Sequence, residues 1–131
     1  MGTRPDADGY ASIGAIGEMM FAAEARSRGH IVFFPIGEAI SGTDVVMVSK
    51  SKRKYTVQVK TQCTSGMKSV DLRVGARSQR NKAFGPRVDA DIIALFWGGE
   101  WYLVPRSAYT SGRKTLRVSD IKNHKGWGCV R

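Results

Sequence analysis

Cysteine is scarce in this sequence, and long apolar runs are absent from it. The two cysteines, Cys63 and Cys129, are far apart and form no CxxC pair, so the sequence predicts neither a disulfide framework nor a zinc site. His30 and His124 have no ligand-like spacing to either thiol. No signal peptide and no apolar run of about 18 residues is present. We therefore expect an intracellular protein with free thiols and no membrane partner.

Acidic residues are outnumbered by basic ones, 11 to 21, and the imbalance is uneven along the chain. Residues 1–49 contain 6 acidic and 3 basic residues, a net charge of −3, and residues 50–131 contain the other 5 and 18, a net charge of +13. A surface of Lys and Arg gains affinity for a polyanion by releasing the counterions that condense on phosphates. The sequence therefore predicts a nucleic-acid-binding surface rather than charge that serves solubility alone.

One domain accounts for the length of the chain. Its 131 residues, 42% of them apolar, are enough for a hydrophobic core without disulfide support. We expect a loose leader over residues 1–11, a core over residues 12–105 and a basic C-terminal extension over residues 106–131. Trp127 in this extension is expected either to pack back on the domain or to stack on a base.

Local patterns predict one helix followed by strands. The helix runs from Ser12, a favourable N-cap residue, to Arg28 and is closed by Gly29. The apolar strand from His30 to Ile36 is expected at or near the centre of the sheet. Around Glu18 the helical wheel collects small residues, which allow close approach to a sheet and turn Glu18 toward it: Ala11, Gly14, Ala15, Ala22 and Ala25. Glu24, on another face, is expected to pair with Arg28 at the surface.

Later in the chain, two strands over Asp91–Trp97 and Glu100–Val104 are joined by Gly98-Gly99, a strong hairpin signal. A short strand is also expected over Val70–Val74, and residues 76–87 form a basic loop or short helix. This order of elements predicts an α/β sandwich on a mixed, largely antiparallel sheet.

The segment TDVVMVSKSKRKYTVQVK, residues 43–60, predicts a second hairpin with functional side chains on one face. Its strands are Val45–Val48 and Tyr55–Val59, and a basic turn joins them. Alternation directs Gln58 and Lys60 to the same face, and a turn centred near residues 51–52 brings Asp44 opposite Lys60 with Gln58 one step along. A carboxylate, an amide and an ammonium group are therefore expected to converge.

This trio resembles the active-site core of the PD-(D/E)XK nuclease superfamily, in which an acidic residue begins a strand and an acid-x-Lys pair lies on its hairpin partner. The motif Gln58-Val59-Lys60 is similar to that of the small branch of cyanobacterial intron-encoded homing endonucleases, and the chain also resembles archaeal-type Holliday junction resolvases. The departures are Thr43 in place of Pro and Gln58 in place of a carboxylate. The resemblance covers roughly residues 13–109 and includes further matches: Gly17-Glu18, Gly29-His30-Ile31-Val32, Pro35, Val88-Asp89 and Trp101-Tyr102-Leu103-Val104-Pro105.

The resemblance implies a restriction-endonuclease-like α/β core and Mg²⁺-dependent hydrolysis of phosphodiester bonds, with Mn²⁺ able to substitute. Asp44, Gln58 and Glu18 are the expected metal ligands, because Mg²⁺ takes oxygen ligands from one or two carboxylates plus substrate phosphate and water. Lys60 is the fourth expected catalytic residue and would contact the scissile phosphate or orient the attacking water.

Three functions are compatible with the sequence. They are a double-stranded DNA endonuclease of the homing type, a Holliday junction resolvase, and a DNA-binding module on an inactive nuclease fold, with Gln58 as the sign of decay. Either enzyme is expected to be a homodimer or homotetramer, because two strands are cut with one site per subunit. The residues expected to contact double-stranded or branched DNA are Lys50, Lys52, Arg53, Lys54, Arg77, Arg80, Lys82, Arg87, Arg113, Lys114 and Arg117.

Overall fold

The computed structural model describes residues 7–35, 43–62, 69–71, 90–109 and 115–131. Among these residues, no helix is long and apolar enough to span a membrane. The elements in chain order are α1 (Ala7–Ser27), β1 (Ile31–Phe33), β2 (Val45–Val48), β3 (Lys54–Gln62), β4 (Ser69–Asp71), β5 (Ile92–Trp97), β6 (Glu100–Pro105), a 3-10 turn (Arg106–Ala108), β7 (Thr115–Arg117), α2 (Val118–Ile121) and a second 3-10 turn (Lys122–His124).

A five-stranded sheet in the order β1-β2-β3-β5-β6 organises these elements. Neighbouring strands are antiparallel except for β3 and β5, which run parallel with Val57 beside Ile92. A separate antiparallel pair is formed by β4 and β7. The expected α/β architecture on a mixed, largely antiparallel sheet is therefore confirmed.

The hairpin between β5 and β6 forms where the sequence predicted it. Gly98 and Gly99 have φ angles of 60° and 79°, and Trp97 pairs with Glu100 across the two-residue loop. Positive φ at both positions is what a type I′ turn requires, and glycine adopts it without steric cost.

The strand expected near the centre of the sheet lies instead at its edge. It is reduced to the three residues of β1, and both Ile31 and Phe33 are exposed. Pro35 follows closely and has no N–H to donate to a ladder, which suits an edge better than an interior position. The central strand is β3, which carries Gln58 and Lys60.

Helix α1 begins at Ala7, five residues before the predicted Ser12, so part of the expected leader is helical. Its other end was predicted well. Gly29 has a φ of 91°, and the N–H of His30 donates to the carbonyl of Ala25 at 3.0 Å. This arrangement is typical of a glycine-terminated helix.

The face of α1 that meets the sheet is centred on Phe21 and not on Glu18. Gly17, Phe21 and Ala25 are buried, whereas Gly14 and Ala15 are exposed, so the predicted small-residue face is only partly buried. The bulky aromatic side chain decides the rotation because it gains most from burial. Gly17 lies against Thr61, and a Cβ atom at this glycine would come within 2.5 Å of the Thr61 Cγ2 atom.

Two hydrophobic clusters cover the two faces of the sheet. On the α1 face, Phe21 meets Trp101 edge to face with ring centroids 5.5 Å apart and stacks on Trp127 at 5.2 Å. The other face holds a smaller cluster that the segment after β6 covers, made of Ala90, Ile93, Leu95, Val104, Tyr109 and Ile121.

The last residues of the chain pack against both hairpins. The N–H of Gly126 donates to the carbonyl of Trp101 at 2.8 Å, and the N–H of Arg131 donates to the Tyr55 hydroxyl at 3.0 Å. Trp127 is buried between Phe21 on one side and the Arg28 and His30 side chains on the other. Of the two expectations for Trp127, packing on the domain is the one observed.

Candidate active site

The β2–β3 hairpin turns over a three-residue loop. The N–H of Lys52 donates to the carbonyl of Ser49 at 2.8 Å, and the N–H of Ser49 donates to the carbonyl of Arg53 at 2.7 Å. Lys52 has a φ of 76°. A tight turn followed by a left-handed residue is a common three-residue hairpin connection. Because the turn is centred on Ser51, Val45 pairs with Val57.

This register places Asp44 level with Gln58, not opposite Lys60 as predicted. Asp44 lies just outside the regular ladder, and its N–H donates to the carbonyl of Val57 at 2.9 Å. Its Oδ2 atom accepts the N–H of Val59 at 2.9 Å. Asp44 is therefore held by the residues on either side of Gln58, its main chain by Val57 and its carboxylate by Val59, and Lys60 follows one same-face step further along β3. The error is two residues, so the predicted face is unchanged.

The surroundings of Asp44 pull its ionisation in two directions. Burial raises the pKa of this carboxyl group, while the hydrogen bond from Val59 and the positive charge of Lys60 lower it, and burial is the strongest of the three. The charged form is thus held in place but incompletely compensated. An added cation would stabilise it.

Gln58 presents a buried oxygen atom without a hydrogen-bond donor. The Oε1 atom has essentially no solvent exposure, and no donor reaches it from the residues that the structure describes. Buried amide oxygens are normally hydrogen-bonded, because desolvation without a partner costs about 1–3 kcal/mol. An oxygen of this kind beside a carboxylate is a natural ligand for a hard cation.

Glu18 reaches the same region from α1. Burial raises the pKa of Glu18, and the negative charge of Asp44 raises it further. Glu18 lies on the flank of the buried stripe of α1 and not at its centre. Glu24 instead makes an exposed ion pair with Arg28, 3.7 Å between the nearest charged atoms, as the sequence predicted.

These groups suit Mg²⁺ better than zinc. Within the described parts of the chain, no group of three or more His, Cys, Asp and Glu side chains converges. Two carboxylates with raised pKa values, Glu18 and Asp44, and the unpartnered oxygen of Gln58 remain. Mg²⁺ is commonly held by one or two carboxylates and completes its shell with water and substrate phosphate, so this donor set fits it.

One acidic residue beside the site has a structural role that the sequence did not reveal. The Asp91 Oδ2 atom accepts the N–H of Thr56 at 2.9 Å, and the N–H of Asp91 donates to the Thr56 hydroxyl at 2.9 Å. Asp91 also lies 3.9 Å from the Arg106 guanidinium group. These contacts fasten the parallel β3–β5 pair, a pairing that no local sequence pattern indicated.

Five of the basic residues expected to contact DNA lie within the described residues. Lys50, Lys52, Arg53 and Lys54, the basic turn, are exposed at the tip of the β2–β3 hairpin. Gln58 follows Arg53 by five residues along the hairpin, a distance of roughly 17 Å. The backbone of Arg117 lies in β7. The other basic positions lie outside the described residues: Arg77, Arg80, Lys82, Arg87, Arg113 and Lys114. Cys63 and Val88-Asp89 also lie outside them.

Solved structures with this architecture include two nucleases. One is a bacterial homing endonuclease, 21% identical, with a TM-score of 0.55 over 79% of this chain and 70% of that chain. The other is Hjc, a Holliday junction resolvase from Archaeoglobus fulgidus, 14% identical, with a TM-score of 0.58 over 86% of this chain and 89% of that chain. No family model and no curated protein sequence matches the chain.

The fold is therefore that of the PD-(D/E)XK-type nucleases, the restriction-endonuclease-like α/β fold. The resemblance drawn from the hairpin motif is confirmed at the level of the fold, and it extends to both kinds of enzyme that the sequence resembled.

Proposed function

We propose that this chain is a Mg²⁺-dependent endonuclease that hydrolyses phosphodiester bonds in double-stranded DNA. The observation that carries the proposal is the pairing of the fixed Asp44 carboxylate with the unpartnered Oε1 atom of Gln58 at one level of the β2–β3 hairpin. Both groups are oxygen donors, and neither has its charge or its lone pairs fully compensated by the described residues around it. Such a pair costs stability in the free protein and is useful to a protein that binds a cation there.

The chain's own residues divide the chemistry between them. Asp44 and Gln58 would hold the metal from the hairpin, and Glu18 would add a second carboxylate from α1. Bound Mg²⁺ would supply a water of lowered pKa and neutralise charge on the phosphate. Lys60, whose positive charge is felt at Asp44, would bind the scissile phosphate or orient the attacking water.

The basic turn provides a second contact with the substrate. Its four exposed cations lie at the tip of the hairpin that carries the site, so a duplex whose scissile phosphate faces Lys60 can meet the turn further along its backbone. Backbone contacts of this kind set affinity and orientation without reading sequence. We assign the turn to nonspecific phosphate binding.

A Holliday junction resolvase is the second candidate. The archaeal resolvase matches a larger share of both chains, whereas the homing endonuclease has the higher sequence identity. Both candidate functions would use the same metal and the same four residues: Glu18, Asp44, Gln58 and Lys60. A supercoiled plasmid and a synthetic four-way junction, each incubated with the purified chain with and without Mg²⁺ or Mn²⁺, distinguish them by which DNA is cut.

The decisive variant is Asp44→Asn, which keeps the size of the side chain and an oxygen to accept the Val59 N–H. We expect cleavage to fall by at least about 100-fold, because even changes around a metal's direct ligands cost about 10–100-fold. Glu100→Gln is the matched control, since Glu100 makes only an exposed ion pair with Lys125 at 3.8 Å. Equal cleavage by the two variants contradicts the site. A wild-type chain that binds both DNAs but cuts neither with either metal supports the inactive-module alternative.

A further inference from the structure

Helix α1 is apolar on the side away from the sheet as well as on the side against it. Ile16, Met19 and Met20 are 55%, 67% and 37% exposed, and Ala23 is also exposed. Their spacing of i, i+3, i+4 and i+7 gives a continuous stripe on one face of a helix, and we call these four residues the outer stripe. A surface helix normally carries charged residues at these positions. A helix with apolar stripes on two opposite sides is typical of one that is packed on both.

The charge distribution indicates what covers the outer stripe. The stripe is uncharged and lies in the acidic part of the chain, residues 1–49 with a net charge of −3, whereas phosphate-binding charge is concentrated in residues 50–131 at +13. DNA is therefore a poor occupant for it. An apolar surface requires an apolar partner.

The stripe is complementary to itself when two copies of the helix run antiparallel. A two-fold axis between Met19 and Met20 places the bulky Ile16 of one chain on the small Ala23 of the other, so large residues meet small ones. Charge does not oppose this orientation, because the axis places the charged residues between positions 24 and 28 level with the uncharged positions 11–15 of the partner helix.

We propose that the outer stripe of α1 is the interface of a two-fold symmetric dimer, in which α1 packs antiparallel against α1 of a second copy of the chain. Only the role of the dimer rests on the proposed function: it would bring two active sites to the two strands of a duplex. The observations that carry it are independent of any catalytic activity.

Sedimentation equilibrium of the full-length wild-type chain, over a range of concentrations, tests the interface first. We expect a dimer, and we expect Met19→Lys/Met20→Lys to weaken it roughly 100-fold, because a two-fold interface contains each substitution twice. Lysine favours helix, so the helix itself is retained. Phe33→Lys is the matched control: Phe33 is 55% exposed on β1, outside the stripe. A wild-type monomer overturns the proposal, as does a dimer that dissociates with Phe33→Lys but not with the double variant.

Cross-linking tests the antiparallel orientation. In a background with Cys63→Ser and Cys129→Ala, Met19→Cys places two thiols across the axis within about 10 Å, the usual distance between packed helices. Arg26→Cys places them about 20 Å apart along the helix axis, from a rise of about 1.5 Å per residue. We expect a short bis-maleimide to join Met19→Cys and not Arg26→Cys.

Equal cross-linking of both variants, or of neither, overturns the antiparallel interface. Binding of a monomeric chain to neutral lipid vesicles through the stripe overturns it as well. Circular dichroism and thermal melts confirm that each variant is folded. Because none of these measurements involves DNA cleavage, the dimer and the nuclease activity succeed or fail separately.

Discussion

Gln58 offers the sharpest test of the site, because its proposed role and a structural role predict stability changes of opposite sign. In Gln58→Met the amide is replaced by an unbranched apolar side chain of similar length. The Oε1 atom of Gln58 is buried and has no donor among the described residues, so the substitution removes a desolvated group and breaks no hydrogen bond to that atom. An unsatisfied buried group costs about 1–3 kcal/mol, so we expect the metal-free protein to gain about 1 kcal/mol or more in the free energy of unfolding.

Thr56→Val is the matched control, two residues earlier on the same strand and on the same face. The Thr56 hydroxyl accepts the N–H of Asp91 at 2.9 Å. Removing this acceptor leaves a half-buried N–H without its partner, so we expect a loss of about 1–3 kcal/mol. The two substitutions are each a polar-to-apolar exchange in β3, and they differ in whether the lost oxygen had a partner.

Urea denaturation in EDTA measures both stabilities, and plasmid cleavage in Mg²⁺ measures activity. We expect Gln58→Met to be more stable than the wild type and to have lost most of its cleavage, and Thr56→Val to be less stable. With Mg²⁺ added, the wild type should be stabilised by binding to the folded state, and Gln58→Met should be stabilised less. A loss of stability in Gln58→Met equal to that in Thr56→Val would refute the reasoning, because it would show that the Oε1 atom has a structural partner.

Three other predictions address the helix and the charged surface. In EDTA, Glu18→Gln should have the same stability as the wild type below about pH 4 and should become the more stable of the two as pH rises. The reason is that the raised pKa of Glu18 makes the folded wild type lose a tightly held proton as pH rises. Urea denaturation at several pH values measures this difference, which Mg²⁺ should diminish, and the control Glu24→Gln should leave cleavage unchanged. Gly17→Ala should destabilise the protein by about 1–3 kcal/mol, since the added Cβ meets a threonine methyl group at 2.5 Å. Gly14→Ala places its Cβ in open space and should stabilise the protein by up to about 1 kcal/mol. Equal melting temperatures for the two variants would contradict the packing of α1. Arg53→Gln in the basic turn should reduce the slope of log affinity against log salt by about 0.9, the contribution of one phosphate contact, and an unchanged slope in a DNA-binding titration would place that contact elsewhere.

The register of the central hairpin depends on more than the local sequence pattern. Alternation along β3 correctly separated the apolar face from the face of Gln58 and Lys60, because side-chain direction depends only on the period of the strand. The level of Asp44 depended on a turn centred on Ser51, with Lys52 in the left-handed region, because a turn centred one residue later would have brought Lys60 opposite Asp44. Side-chain alternation does not specify where a turn is centred.

The sequence alone determined the elements whose causes lie within a few residues of one another. Gly98-Gly99 specified the β5–β6 hairpin because only glycine readily adopts positive φ at both positions, and Gly29 specified the end of α1 for the same reason. Alternation determined the functional face of β3, and the two β-rich runs of residues 45–48 and 55–59 predicted the position of the basic turn between them.

The tertiary structure decided everything that depends on partners distant in the chain. It paired β3 with β5 in parallel, moved β1 to the edge, and rotated α1 so that Phe21 could pack between Trp101 and Trp127. It also brought Glu18 into the field of Asp44, 26 residues later in the sequence. These arrangements are set by the burial of large side chains contributed by several elements at once, and that energy has no signature in any single stretch of sequence.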